Sequence, residues 1–399
     1  MDTIEPRGSV ILCLNAGSSS VKAALFSAGP ASPPGRLATL TANGIGEATG
    51  SVTCAVAGNR EPERERLTLD DHARAVSALF DVLRSRRLPQ PQAVGHRIVR
   101  SPPDRSQPAI LDPALRRELE KVRALAPLHL PMELDTIAAA ERRFPGTVQA
   151  VCFDNHFFSG LPPLARQLPL PRRFDEAGIR RIGYHGLSYE YITGRLENDC
   201  GRTVVAHLGN GASMAAIRDG RPLDTTMGYT PTGGLMMGTR TGDLDPGVLV
   251  AILRREGLDP DGLERLVDKQ AGLYGVSGGE ASMKVLLERA RDDAAAGRAV
   301  TLFCYTARKH LGAMIAVLGG IDTLVFTGGV GENAAPVRAA IVTGLEDLGL
   351  ALDEQANNAG AADIAAAGSR ARIRVIATDE EQVIAAHTAR LLEREEATS

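Results

Sequence analysis

The chain has 399 residues, 44% hydrophobic and 23% charged, with a formal net charge of −3. This length suits two domains with separate cores, and the balance excludes a mostly disordered, collagen-like or membrane-embedded chain. A slightly acidic protein with no Trp and 4% aromatic residues lacks the basic field and stacking platforms that nucleic acid or an anionic membrane surface would need.

In chain order, residues 10–14 and 21–26 are short β-rich runs separated by Asn15-Ala-Gly-Ser-Ser-Ser20, a strand–turn–strand signal. A loose stretch rich in Pro and Gly covers 29–35. Over 67–87, Val76, Leu79, Phe80 and Leu83 recur at helical spacing. Residues 93–99 read as a strand, and 112–125 and 132–144 as helices. The first of these helices opens with Asp112 as N-cap and Pro113 in the first turn. A buried strand is expected over 148–153, a helix over 187–196, and strands over 203–208 and 213–217. Asp245 and Pro246 open a helix running to 255. Over 299–318, Leu302, Phe303, Leu311, Met314, Ile315 and Leu318 form a wide apolar face. A strand at 321–326, a helix at 334–345, a strand at 373–376 and a helix at 380–392 complete the chain. This alternation predicts an α/β architecture with parallel or mixed sheets.

The five cysteines are odd in number, scattered and without a C-x-x-C pair. That pattern argues against a disulfide framework or zinc site and for a reducing cytosol. The apolar stretch at 10–14 is too short for a signal sequence or membrane span, so a cytoplasmic enzyme is expected.

The chain carries one internal similarity. Asn15-Ala-Gly-Ser-Ser-Ser-Val-Lys-Ala-Ala-Leu25 aligns with His207-Leu-Gly-Asn-Gly-Ala-Ser-Met-Ala-Ala-Ile217 at an offset of 192, pairing Gly17 with Gly209. Each copy is a strand, a glycine-bearing turn and a second strand, which predicts a duplicated unit. Two such turns suit phosphate, because small residues let backbone N–H groups approach an anion. Ser18, Ser19, Ser20 and Asn210 add donors, and Lys22 adds charge. The strand entering Gly328-Gly-Val-Gly-Glu-Asn333 has the layout of a nucleotide-binding turn at a helix N-terminus.

Arg97 lies in a strand-like Gly-His-Arg-Ile-Val run, and Arg240 in a loop of small residues. Both contexts suit an anion, with a structural ion pair as the alternative for each. His129, His185 and His207 stand beside Gly or Pro at element ends, whereas His72, His310 and His387 read as surface or packing residues. Asp154 ends a strand, a placement common in α/β active sites. Glu380 and Glu381 follow another strand, and a helix N-terminus alone would also favour acids there.

These residues resemble the acetate kinase and short-chain carboxylate kinase family. The likeness rests on Asn15-Ala-Gly-Ser-Ser-Ser-Val-Lys22, His207-Leu-Gly-Asn-Gly-Ala-Ser213 and Met236-Met-Gly-Thr-Arg-Thr-Gly-Asp-Leu-Asp-Pro246. Phe326-Thr-Gly-Gly-Val-Gly-Glu-Asn333 and Thr378-Asp-Glu-Glu381 extend it. The motifs come in family order and span nearly the whole chain.

The resemblance implies a duplicated actin/hexokinase/heat-shock-ATPase-like (ribonuclease H-like) fold with two domains about a cleft. Residues 1–155 with 385–399 would form the acid- and phosphate-side domain, and 156–384 the nucleotide-binding one. It also implies reversible transfer of the ATP γ-phosphoryl group to acetate, with Mg²⁺ or Mn²⁺, ATP/ADP as co-substrate, and a homodimer. Small molecules would be the only other partners, with no nucleic acid and no membrane.

By that likeness Arg97, Asp154, His185 and Arg240 are catalytic. Asn15 and Glu380 hold the metal, with Glu381 as the alternative carboxylate. Ser18, Ser20, Lys22, His207, Gly209, Asn210, Gly211, Ser282, Met283, Lys284, Gly329, Val330, Gly331 and Asn333 bind nucleotide. Arg97, Val99, Leu128, His129, Tyr184 and Pro231 form the acid pocket. The chemistry agrees, because an acid already ionised at pH 7 needs no general base, only charge neutralisation and alignment.

The chain departs from the family pattern in two places. Gly95-His-Arg-Ile-Val-Arg-Ser-Pro-Pro103, His129-Leu-Pro131, Phe153-Asp-Asn-His-Phe-Phe158, Tyr184 and Tyr189 differ around the acid pocket. Ala281-Ser-Met-Lys284 lacks the usual acidic partner for the nucleoside. The acid thus stays open among acetate, propionate, butyrate and other small acids. A same-fold sugar kinase, with Asp154 as base, and a non-catalytic nucleotide-binding protein are the rival readings.

Overall fold

The strand–turn–strand run at the N-terminus folds as β1 (Ser9–Ala16) and β2 (Ser20–Ala28), paired antiparallel up to Ala16↔Val21. The computed structural model describes residues 8–17, 19–29, 33–58, 61–103, 105–123, 129–196 and 200–397. The chain divides into two units, Met1–His156 with Asp379–Ser399, and Phe157–Thr378.

In the first unit the chain continues through β3 (Gly35–Asn43), β4 (Gly50–Val56), β5 (Glu63–Leu67), α1 (His72–Ser85), β6 (Ala93–Ile98) and β7 (Ala109–Ile110). There follow α2 (Pro113–Val122), α3 (Leu130–Arg143) and β8 (Val148–Phe153), and the unit is completed by α15 (Glu380–Glu396). The sheet order is β5-β4-β3-β2-β1-β6-β8-β7. Val76, Leu79, Phe80 and Leu83 of α1 are buried, as their spacing predicts, in one cluster with Leu12, Leu14, Ala140 and Phe144. Asp112 caps α2, accepting the Leu115 N–H at 2.6 Å, with Pro113 in the first turn. Because α15 runs unbroken from Glu380 and packs on β1, β2, β6 and β8, the units divide at Thr378, ahead of the expected 385.

The second unit holds α4 (Pro163–Arg166), α5 (Arg172–Glu176), α6 (Gly186–Leu196), β9 (Arg202–Leu208), β10 (Ala212–Arg218) and β11 (Arg221–Thr225). Then come α7 (Pro246–Glu256), α8 (Pro260–Lys269), α9 (Gly272–Ser277), α10 (Met283–Arg289) and α11 (Ala294–Leu318). β12 (Thr323–Thr327), α12 (Gly328–Asn333), α13 (Ala335–Val342), α14 (Glu354–Asn358) and β13 (Arg372–Val375) close it. Its sheet order is β11-β10-β9-β12-β13.

The duplication is present in the topology. The orders β3-β2-β1-β6-β8 and β11-β10-β9-β12-β13 match, each with two antiparallel and then two parallel pairings. The 11-residue alignment, however, slips by one in its second strand. Asn15 pairs with Lys22 and His207 with Ser213, so Lys22 corresponds to Ser213, an offset of 191. A bulge between Leu25 and Phe26 is matched by one between Ala216 and Ile217 at the same offset. Gly17–Ser20 simply has one residue more than Gly209–Gly211, and a one-residue slip exchanges the faces of a strand.

Strands β3, β4 and β5 carry no strong sequence signal, since the buried face of β3 consists of Ala38, Leu40 and Ala42 between polar residues. Leu302 departs from expectation too: it is 41% exposed, while Phe303, Leu311, Met314, Ile315 and Leu318 are buried.

Candidate active site

In the first unit, polar groups gather where β1 and β6 end. The Asn15 side-chain nitrogen lies 2.8 Å from Glu380 Oε2 and 3.3 Å from Glu381 Oε1. Both acids stand in the first turn of α15, where unpaired N–H groups favour them. Asp379 caps that turn by accepting the Gln382 N–H at 3.0 Å, and Arg36 grips both its oxygens at 2.5 and 2.6 Å. Burial, reinforced by the charge of Glu380, raises the Glu381 pKa, with Lys22 opposing. Two crowded carboxylates beside an amide that can present its oxygen form a donor set fit for a hard divalent cation. Asn15 and Glu380 are thus together, with Glu381 beside them.

Arg97, one residue before the end of β6, donates from Nη2 to Asp154 Oδ2 at 3.0 Å, and its Nη1 is 3.9 Å from Glu133 Oε1. The Arg97 side chain is 13% exposed and both carboxylates are fully buried. Burial works against the guanidinium charge, but Asp154, Glu380 and Glu133 outweigh it and raise its pKa. Arg97 Nε is buried without a hydrogen-bond partner among the described residues. A buried N–H of that kind calls for an acceptor. Asp154 is held by β6, its N–H donating to Ile98 O at 2.8 Å.

Val99 is buried, and its N–H donates to Glu133 Oε1 and Oε2 at 3.2 and 3.0 Å. His129 occupies the N-cap position of α3. Ser20 is half-buried, its carbonyl accepting the Gly17 N–H at 2.8 Å, and Lys22 is exposed opposite Asn15. Ser18 and Leu128, expected in the phosphate turn and the acid pocket, lie outside the described residues.

In the second unit the Gly209–Gly211 turn draws in the other expected groups. A Cβ on Gly211 would sit 3.2 Å from His185 Nε2 and 3.5 Å from Arg240 Nη1. One on Gly209 would sit 3.9 Å from His207 Nε2 and 4.0 Å from the Gly329 nitrogen. Only glycine leaves that space open. The two imidazoles stack, centroids 4.3 Å apart. His185 Nδ1 is 2.9 Å from Ser213 Oγ, and His207 Nδ1 is 2.8 Å from Ser188 Oγ. In the tautomer in which each Nδ1 accepts a hydroxyl proton, Nε2 carries a proton toward the turn. Tyr189 OH reaches the same Ser213 Oγ at 2.6 Å. His185 has φ +60, a left-handed conformation unusual outside glycine.

Arg240 donates from Nη1 to Pro231 O at 3.2 Å, and the Gly238 N–H donates to Asn210 O at 2.9 Å. The second bond fastens the 236–246 loop to the turn, and the first ties Arg240 to the segment at Pro231. Tyr184 is buried, and its hydroxyl donates to Tyr229 O at 2.8 Å.

α12 is a short helix. Its Gly328 N–H donates to Glu332 Oε1 at 2.9 Å, and that oxygen also accepts the Thr378 N–H at 3.2 Å. Gly329 and Asn333 are exposed, Val330 is half-buried, and Gly331 is buried against β9. On α10, Ser282 is the N-cap, the Met283 side chain is buried and Lys284 is exposed.

Sequence reasoning missed Glu133, Arg36, Asp379, Ser188, Ser213 and Glu332. Glu133 had a signal: an acid at 133 interrupts the apolar spacing of Leu130, Leu134 and Ile137 on α3.

The family model of the acetokinase family matches residues 10–386. Acetate kinase from Methylocella silvestris is 40% identical, covering 96% of this chain and 98% of its own. The crystal structure of Porphyromonas gingivalis acetate kinase is 34% identical with a TM-score of 0.83, covering 96% of this chain and 100% of its own. That of a propionate kinase from Francisella tularensis is 33% identical with a TM-score of 0.87 and the same coverage. The chain therefore belongs to the acetokinase family, with its duplicated actin-like ATPase fold.

Proposed function

We propose that the protein is an acetate kinase, transferring the γ-phosphoryl group of ATP reversibly to acetate to give acetyl phosphate and ADP. The observation that carries this reading is the buried guanidinium of Arg97, held by Asp154, with an Nε N–H that has no acceptor among the described residues. A carboxylate supplies that acceptor, whereas a sugar hydroxyl brings no charge to match. The acid oxygen attacks the γ-phosphorus, the bond to the β-phosphate oxygen breaks, and ADP departs with the electron pair. No base is needed, because the nucleophile is already ionised.

In the first unit, Arg97 binds and orients the acid, Asp154 fixes Arg97, and Val99 offers the methyl group an apolar contact. His129, at the start of α3, belongs to the same acid site. Asn15 and Glu380 would hold Mg²⁺ or Mn²⁺, which when bound neutralises phosphate charge. Ser20 and Lys22 act on phosphate from the β1–β2 turn.

In the second unit, Nε2 of His185 and His207, Arg240 and the N–H groups of Asn210, Gly211 and Gly329 donate to phosphate oxygens, while the Gly209 N–H closes the turn by donating to Gly211 O at 2.9 Å. Val330, Gly331, Asn333, Ser282, Met283 and Lys284 lie on the nucleoside side, and Tyr184 and Pro231 bear on acid size. Such positioned donors stabilise charge spread over a transferring phosphoryl group.

A homodimer is part of this reading. α7 has no buried residue despite its apolar Val248, Leu249 and Val250, and Tyr274, Leu302 and Tyr305 are also exposed. A cytoplasmic setting is consistent with five free, buried cysteines and with no described helix long and apolar enough to cross a membrane.

The test is Mg-ATP turnover with acetate, propionate, butyrate and hexoses, trapping acyl phosphate with hydroxylamine. Acetyl hydroxamate is the expected product, and ADP formed only with a hexose would overturn the proposal. Propionate is the second reading, favoured by the likeness to a propionate kinase structure, and the same panel ranks the two.

A further inference from the structure

Glu133 is a buried carboxylate whose place ties two acid-site residues together. It accepts the Val99 N–H with both oxygens, at 3.2 and 3.0 Å, and faces Arg97 Nη1 at 3.9 Å. Arg97 is thus flanked by two buried carboxylates, Glu133 and Asp154, before any acid binds. A third negative group, the substrate's own, must then share one guanidinium. We propose that Glu133 is a positioning residue for acid recognition: it fixes the backbone at Val99 and sets how much of the Arg97 charge the acid meets. The proposal rests on the acid-kinase reading of the site.

Charge arithmetic gives the direction. With Glu133 ionised, Arg97 is already overcompensated and the incoming carboxylate is repelled. With Glu133 protonated, one negative charge facing Arg97 is removed, leaving Asp154 and Glu380, and the acid engages it more readily. Acid binding is therefore coupled to proton uptake at Glu133. The surroundings support this. Burial raises its pKa from 4.5 to about 7, with Arg97 and the Val99 N–H opposing and Asp154 adding to the rise. The groups facing it are Arg97 from β6 and Asp154 after β8, with Glu380 from α15 acting through Arg97. His129 stands one turn before it on α3, its carbonyl accepting the Glu133 N–H at 3.1 Å. Helix α3 also packs on α1 and β1, whose Leu79, Phe80, Leu83, Leu12 and Leu14 share a core cluster with Ala140 and Phe144.

The experiment measures KM for acetate, KM for ATP and kcat between pH 6 and 8.5. It is run for the wild type, Glu133→Gln and Glu133→Leu. Proton uptake on acetate binding is measured by calorimetry in two buffers of different ionisation enthalpy. In the wild type, KM for acetate should rise about tenfold as pH passes through neutrality, with KM for ATP following no such trend and binding near pH 7 taking up protons. Glu133→Gln keeps an oxygen for the Val99 N–H but has no charge. It should hold KM for acetate low and flat, and remove the proton uptake. Glu133→Leu leaves the Val99 N–H unpaired and should raise KM for acetate with little change in KM for ATP.

If Glu133→Gln keeps the wild-type rise and the proton uptake, the inference fails, and Glu133 is only a support for α3. Because Gln is nearly isosteric, that arm stands even where the Leu variant does not fold. Failure of the parent reading looks different, since the wild type would then form no acyl phosphate with any acid.

Discussion

The β1–β2 turn and the β9–β10 turn occupy the same place in two sheets of one strand order, with bulges at matched positions. Around the first, the structure gathers carboxylates: Glu380 and Glu381 at Asn15, and Asp154 and Glu133 at Arg97. Around the second it gathers nitrogen groups: Nε2 of His185 and His207, the Arg240 guanidinium and the Gly329 N–H. The strand order is shared while the side chains differ, so that carboxylates gather around the first turn and imidazoles and a guanidinium around the second. The two also differ in burial. Asp154 and Glu133 are sealed in the core, whereas His185, His207 and Arg240 are half-buried. Losing one of these two buried carboxylates should thus cost folding, and losing a group at the second turn, turnover.

The sharpest way to break that contrast is Asp154→Ala. It leaves Arg97 buried without its closest partner, which should cost about 3–5 kcal/mol of unfolding free energy in a urea titration. A loss below about 1 kcal/mol, the value of an exposed pair, would remove the distinction.

Acid should strike the first unit in a similar way. His96 is buried on β6 with Nε2 2.8 Å from Gln149 Oε1, and burial lowers its pKa from 6.5 to about 4. Below pH 6.5 the unfolded chain binds a proton here that the folded chain refuses. The stability present above pH 6.5 is therefore lost as pH falls toward 4, about 3 kcal/mol in all. His96→Gln, compared with the wild type across that window, should show the smaller loss. An identical slope for both would remove His96 from the acid response.

In the second unit, Arg240→Ala should lower kcat by at least ~100-fold, the scale of a lost preorganised donor. Its melting temperature should hardly move. Normal kcat with a large drop in stability would reverse the contrast between the units.

Weaker still is base selection. Ser282 is used as the N-cap of α10 and Met283 is buried, so only Lys284 of that segment presents a free-standing polar side chain. GTP or ITP should support turnover within about tenfold of ATP, roughly one hydrogen bond's worth. Strict ATP dependence in the same assay would place recognition elsewhere, as in the α12 turn.

The smallest effect is expected at Tyr184. Its hydroxyl already donates to Tyr229 O, so Tyr184→Phe should leave kcat/KM for acetate within about twofold and cost about 1 kcal/mol of stability. A tenfold gain on acetate would mean that the hydroxyl meets the substrate instead.

Much of the protein was legible from local signals. The Asp112 and Asp245 caps, the α1 face and the two hairpins follow from near-neighbour sterics and hydrogen bonding, which the sequence carries directly. The motif residues also emerged, because glycine-rich turns have few other uses at that density. The rest depended on distant partners. Strands β3 to β5 form because β2 offers an edge to pair with, and their own Ala, Thr and Arg residues do not announce it. Leu302 looked like core and is exposed because α11 turns that line of residues outward.

The sequence by itself determined the α/β alternation, the doubling of the hairpin and the roster of charged and glycine residues at its turns, since each is written in spacing a few residues long. Tertiary structure alone decided the register of the second hairpin, the stacking of His185 on His207 and the burial of Glu133 against Arg97 and Val99. Those depend on which chain segments, far apart in sequence, come within a few ångströms, and so on desolvation and pairing that no local pattern encodes.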